Sequence, residues 1–177
     1  MIDIKLTPEL KVKYPESIFG SLFVMNVPNG KVHEASEERK REVERELRKM
    51  IIDNDNIIAL YNAYFNKWGK VYPVENQIRN IRKGHSLPQI SILVDCMFIA
   101  ELKNRILISG HDLNEIKGSL LFDTSKGKER YIMLNGKEQE LKEGDIILKD
   151  EEGILASVLY GPAKRTSITL NTKTFFT

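Results

Sequence analysis

Cysteine occurs once in the 177 residues, at Cys96. An internal disulfide is therefore excluded, as is a Cys-x-x-Cys zinc arrangement, and a reducing cytoplasm is the compartment that fits best. Charge of one sign is equally scarce, because 27 Lys and Arg stand against 25 Asp and Glu for a formal net charge of +2. So weak a field cannot gather nucleic acid by itself, and any RNA contact has to come from a local patch. Long apolar runs are missing too. No stretch approaches the ~18–20 residues needed to cross a bilayer, and MIDIKLTPELKVKYP has neither an uninterrupted apolar core nor a small-residue cleavage site. The expectation is a chain with no membrane partner and no processing. There is no internal repeat or low-complexity tract, and the residue pattern calls for no cofactor and no metal.

What is present is ordinary for a folded domain. Apolar residues make up 41% and charged ones 29%, which is outside the disordered regime. A chain of this length buries about two-thirds of its unfolded surface, so one substantial domain over residues 1–177 is expected. Residues 18–27, IFGSLFVMNV, are almost continuously apolar and read as a strand covered on both faces, with Pro28-Asn29-Gly30 turning the chain afterwards.

Helix formers fill Glu34 to Asp53, whose apolar positions Val43, Leu47, Met50 and Ile51 make one narrow stripe suited to a surface helix. A second helix is expected from near Asp55 to Trp68, with Ile58, Leu60, Tyr61, Tyr64, Phe65 and Trp68 on its apolar face and Gly69 closing it. Pro73 opens a short basic helix ending at Gly84, which can take the left-handed conformation. Pro88 then suits the first turn of an apolar helix running from Ile90 to Leu102.

After Asn104 the period changes. Runs at 105–109, 119–123, 130–134, 145–149, 154–160 and 166–176 are separated by glycines and by Gly161-Pro162, as in a meander or partly closed sheet. The fold class is therefore α+β, with N-terminal helices packed on a mixed or antiparallel sheet drawn mainly from the C-terminal half.

Chemistry-bearing groups concentrate in two turns. His85, Ser86 and Gln89 lie in the first, and Ser109, His111 and Asp112 in the second. Brought together, the turns would set two imidazoles beside a carboxylate, and an imidazole of ordinary pKa, near 6.5, is a competent base at neutral pH. The same residue types also satisfy turns and helix ends without catalysis. Asp95 sits among Leu93, Val94, Cys96 and Met97, where an unpaired carboxylate would be costly. It needs a partner, either as an orienting carboxylate in a site or as an acceptor for a neighbouring loop. Cys96, in the same apolar run, should be buried and unreactive, and His33 carries no special signal.

A basic footprint for RNA combines Lys67, Lys70, Arg79, Arg82 and Lys83 with Arg105, Lys164 and Arg165. Trp68 and Tyr72 interleave with the first cluster, where exposed rings could stack unpaired bases. Such charges are also what a solvated helix face carries.

The ordered set Lys83-Gly84, Leu87-Pro88, Ile90, Leu93-Val94-Asp95, Gly110-His111-Asp112, Gly118, Gly144-Asp145, Asp150, Thr166, Ile168, Thr169 and Thr172 resembles the B3/B4 domain, known from the editing module of phenylalanyl-tRNA synthetase β subunits. A looser match from Tyr64 to Gln77 extends it towards residue 57, leaving residues 1–56 as an N-terminal strand and helix. The resemblance implies a tRNA-related role: recognition of aminoacyl-tRNA, or hydrolysis of a mischarged ester by a positioned water and oxyanion donors.

The polar residues that such editing uses are replaced here. Met97 and Phe98 stand where the family has a Thr-Asn pair, and Ser109 where it has a histidine, so the synthetase mechanism does not transfer and a more apolar cavity follows. His85, His111 and Asp95 are the remaining catalytic candidates. Ser86, Gln89, Met97, Phe98, Ser109, Asp112 and Thr166 are the ligand-binding ones. The other readings are a noncatalytic binder of a small molecule such as an amino acid, and a protein-interaction module using the stripe of the 34–53 helix.

Overall fold

The computed structural model describes residues 3–52 and 55–177. It comprises two compact units, a helical one over Pro28–Ile108 and a sheet-rich one formed by Met1–Val27 with Ser109–Thr177. The elements are an α+β mixture.

In the helical unit α2 spans Glu34–Lys49, α3 Asn56–Phe65, α4 Pro73–Arg82 and α5 Ile92–Asn104, following the short α1 of the other unit at Pro8–Lys13. Each start has a local cause. His33 Nδ1 accepts from Ala35 N to cap α2, Asp55 accepts from the amides of Ile57 and Ile58 to cap α3, and Ser91 caps α5 at Val94 N. Helix α2 packs against α4 and α5, and α4 against α5. Its buried side chains are Ser36, Lys40, Val43, Glu44 and Leu47, so three of the five inward side chains are polar or charged. The expected end of this helix, Asp53, lies outside the described residues. A 3₁₀ turn, Asn66–Trp68, follows α3 and ends at Gly69 in the left-handed conformation (φ 64°).

Several expectations fail for identifiable reasons. Leu60 and Ile51 face solvent (73% and 75% exposed), because the apolar face of α3 narrows to Ile58 and Phe65 and α2 ends before Ile51. Pro88 lies ahead of α5 rather than in its first turn, since Ser91 supplies the cap. Cys96 is exposed, on the outward side of α5, and not buried.

In the sheet unit a five-stranded sheet has the order β1-β4-β7-β8-β9, with β1 Ile4–Leu6 parallel to β4 Leu120–Thr124 and the other pairs antiparallel. Strands β7 (Ile146–Lys149), β8 (Ile154–Ser157) and β9 (Gly161–Pro162) complete it. A smaller antiparallel sheet, β2-β10-β3, joins Phe23–Val24, Phe175–Phe176 and His111–Asp112, and β5 (Arg130–Ile132) pairs β6 (Glu138–Glu140). Ile116, Leu120, Leu148, Leu155 and Phe176 form one core cluster, and Tyr131, Leu141, Ile147, Ile154 and Ala163 another.

The strand expected at 18–27 shrinks to the two residues of β2. It pairs on one side only, with the C-terminal segment, and Ile18 and Met25 stay exposed, so neither face is covered as expected. The strand expected at 105–109 is absent because its donors are taken elsewhere. Arg105 is left-handed (φ 58°) at the end of α5, Ile106 N donates to Glu101 O, Leu107 N to Tyr61 Oη, and Ile108 N to Glu101 Oε1. The 166–176 run is mostly turns, including one fastened by Thr169 and Thr172, with only its end in β10.

Candidate functional site in the helical unit

Helix α4 begins at Pro73, as its fixed φ favours, and buries Val74, Ile78 and Ile81. Its C-terminus closes with Gly84 N on Ile81 O (2.9 Å) and His85 N on Asn80 O (3.2 Å), which needs the left-handed φ of 99° at Gly84. The chain then runs through 85–90 to the Ser91 cap. Between this turn, α4 and α5 lies a concavity of about 440 Å³. Gln77, Asn80, His85 and Ser86 supply its polar groups, and Ile81, Leu87, Pro88 and Phe98 its apolar ones. None of these carries a fixed charge, so the site suits a neutral group presenting apolar surface and a few hydrogen-bonding atoms.

Three of the sequence candidates, His85, Ser86 and Phe98, meet there. Gln89 is exposed and outside the lining, and Met97 is half-buried on α5 without lining it. Gln77 and Asn80 were not anticipated. No local signal sets them apart, since an amide on a helix whose Ile78 and Ile81 are buried suits solvent equally well.

Asp95 has no exposed surface, and it has the partners that its burial demands. Oδ2 lies 3.0 Å from Lys40 Nζ, and Oδ1 accepts from Ile90 N at 3.2 Å. Lys40 also reaches Glu37 (2.7 Å) and Pro88 O (3.1 Å). Desolvation opposes its charge, but the bonds to Glu37 and Asp95 prevail and hold the ammonium above its usual range. Asp95 thus acts as acceptor for a neighbouring loop and as counter-ion together.

The basic candidates differ in how free they are. Arg82 and Lys83 are exposed at the end of α4, whereas Arg79 pairs with Glu75 (2.5 Å) and Arg105 with Asp55 (2.8 Å). Lys67 sits 5.7 Å over the Tyr64 ring, and Lys70 is half-buried. Tyr72 cannot stack a base, because its ring is fully buried against Tyr61 (4.3 Å) and its hydroxyl donates to Arg105 O (2.7 Å). Trp68 is half-buried beside Tyr64.

The second turn belongs to the sheet unit and makes its own cluster. His111 is fully buried, with Nδ1 2.8 Å from Thr166 Oγ1 and Nε2 3.1 Å from Ser109 Oγ. Burial, with the Arg165 guanidinium adding to it and Asp150 opposing, lowers its pKa to about 4. An ordinary imidazole was expected; this one is neutral at pH 7 with both nitrogens engaged. Asp112 accepts from Asn114 N (3.0 Å) and from the Thr172 hydroxyl (2.5 Å), fixing the turn. Arg165 is held by Asp150 (2.8 Å) and Glu152 (3.4 Å), while Lys164 is exposed. Asp150 accepts four such bonds, three from the backbone amides of Lys117, Glu152 and Gly153 and one from Arg165. Burial works against them, yet together they hold its carboxyl below the usual range.

The family described as B3/4 domain matches residues 61–177, which include the concavity and the His111 cluster. This chain belongs to the B3/4 domain family. The phenylalanine--tRNA ligase beta subunit of Mycoplasma pneumoniae (strain ATCC 29342 / M129 / Subtype 1) is 35% identical over 66 residues, 37% of this chain and 8% of that subunit. Among solved structures, an N-terminal fragment of the phenylalanyl-tRNA synthetase beta-subunit from Pyrococcus horikoshii aligns with a TM-score of 0.47 and 13% identity, over 99% of this chain and 42% of that one. The match therefore spans 8% of the first relative's length and less than half of the second's. Among the described residues no helix is long and apolar enough to cross a membrane, and no group of three or more His, Cys, Asp or Glu side chains is arranged to hold a metal ion.

Proposed function

We propose that this B3/4 chain recognises the aminoacylated end of a tRNA without hydrolysing it. The carrying observation is the concavity of about 440 Å³ inside the family-matched residues, lined without any Lys, Arg, Asp or Glu and next along the chain to the exposed Arg82 and Lys83. Amide and hydroxyl groups with a phenyl ring suit an uncharged moiety, while two cations at the end of α4 suit a phosphate backbone. Kinship with phenylalanine--tRNA ligase beta subunits supports tRNA as the partner. Ester hydrolysis needs a placed base and oxyanion donors. His85 is the one titratable side chain among the lining residues, and Phe98 adds no donor.

A panel of correctly and wrongly charged tRNAs tests this reading. Retention of charged tRNA with no acceleration of deacylation is the expected result, and loss of binding to every charged species defeats it. Binding should weaken with salt. Replacing Arg82 and Lys83 by alanine should reduce the slope of log K against log salt by about 0.7 for each lost phosphate contact on a single strand.

The concavity's size also admits a second reading, capture of a free small molecule, since small-molecule pockets start at roughly 300 Å³; a free amino acid would there have its two charges met by amide, hydroxyl and imidazole groups alone. It predicts thermal stabilisation by the free ligand, about 2.7 kcal/mol at a hundredfold excess over Kd, with little salt dependence. The protein-interaction reading has less support. Of the stripe that was to dock a partner, Val43 and Leu47 are buried within the helical unit and Met50 is half-buried, which leaves Ile51 as its one exposed member.

A further inference from the structure

The turn lining the concavity has little apolar anchorage, for His85, Ser86, Pro88, Gln89 and Ile90 are exposed and Leu87 is only half-buried. A segment of this kind ordinarily opens at small free-energy cost. Here three of its backbone groups are taken by charged side chains that water hardly reaches. Leu87 N donates to Glu44 Oε1 (2.7 Å), Pro88 O accepts from Lys40 Nζ (3.1 Å), and Ile90 N donates to Asp95 Oδ1 (3.2 Å). Lys40 and Glu44 are 3% and 6% exposed and stand one turn apart on the inward face of α2.

We propose that Lys40 and Glu44 are positioning residues for the ligand site: from α2 they hold Leu87 and Pro88, and so fix the concavity's wall relative to α4 and α5. This rests on the concavity being the ligand site. Charge-assisted hydrogen bonds are short and directional, which suits them to fixing a backbone. Buried ions contribute little net stability compared with apolar replacements, so two of them on one helix, both aimed at one turn, are better explained by the place they define than by stability. Helix α2 lies outside residues 61–177, so the ligand site depends on a segment that the family match does not include.

The test compares Glu44→Ala with Glu44→Gln. Glutamine keeps an oxygen for Leu87 N, and alanine does not. Amide hydrogen exchange at Leu87 should quicken about tenfold or more in Glu44→Ala, stay near wild type in Glu44→Gln, and leave Ile78 and Ile99 unchanged in both. The Kd for phenylalanyl-tRNA should rise about tenfold in the alanine variant alone. Unchanged Leu87 exchange in Glu44→Ala overturns the proposal, as does exchange that quickens equally across α4 and α5 without rescue by glutamine. Unaltered tRNA binding despite a loosened turn overturns it as well. A wild type that binds no charged tRNA defeats the functional reading instead, and the Leu87 exchange then decides the positioning role by itself.

Discussion

Lys40→Met should lower the unfolding free energy by about 3–5 kcal/mol, the penalty for leaving one member of a buried ion pair unmatched. Asp95 has no exposed surface, and without Lys40 its carboxylate keeps only Ile90 N. Pro88 O and Glu37 lose a partner in the same step. The double change Lys40→Met with Asp95→Leu should be less damaging than Lys40→Met alone, because the fully buried carboxylate is then gone and the carboxylate left without Lys40 is that of the partly exposed Glu37. Urea melts followed through Trp68, the single tryptophan and a member of the helical unit, measure both. The pH sign is fixed by the direction of the Lys40 shift. A folded pKa above 10.5 means that the stability it contributes is complete below pH 10.5 and is lost as pH rises through the folded value. Equal damage in the single and double variants would show that packing, not the charge pair, holds α2 in place.

The two units should respond to acid with opposite signs. Glu101 is buried, and burial raises its pKa from 4.5 to about 7 against the lowering effect of the Ile108 amide. Its contribution to the helical unit is therefore complete below pH 4.5 and lost as pH climbs through about 7. At ~1.4 kcal/mol per pH unit between the two values this is about 3 kcal/mol. His111 shifts the other way, from 6.5 to about 4, so its contribution to the sheet unit is complete above pH 6.5 and lost as pH falls through about 4, again about 3 kcal/mol. Trp68-monitored melts should show the helical unit gaining stability between pH 7 and 5, a gain that Glu101→Gln abolishes. Hydrogen exchange at Leu120 and Leu155 should show the sheet unit losing stability over the same range, and His111→Gln should flatten that loss. A Glu101→Gln variant that retains the acid gain would assign the effect to another group.

How much of this was readable beforehand is clearest at single residues. Gly84 announces the end of α4 because few other residues accept its backbone conformation, and Ser86 and Phe98 are legible as candidates from sequence although their meeting in one concavity is not. Gln77 and Asn80 are not legible as site residues, because an amide on a solvent-facing helix position looks the same whether a turn folds over it or not. Lys40 and Glu44 lie on a helix whose sequence suits the surface. Their burial depends on Asp95 and Leu87, more than forty positions away along the chain.

Local chemistry was enough to settle the α+β class, the start of α4 at Pro73 and its stop at Gly84, and the family through an ordered set of short matches. These follow from backbone preferences and side-chain periodicity, which act over a few residues. Tertiary structure alone decided which charges are buried, that the 105–109 segment gives its donors to Tyr61 and Glu101 instead of to a strand, and that His111 is neutral at pH 7. Each of those outcomes is set by desolvation and by partners distant in sequence, and neither is encoded in the neighbours of the residue concerned.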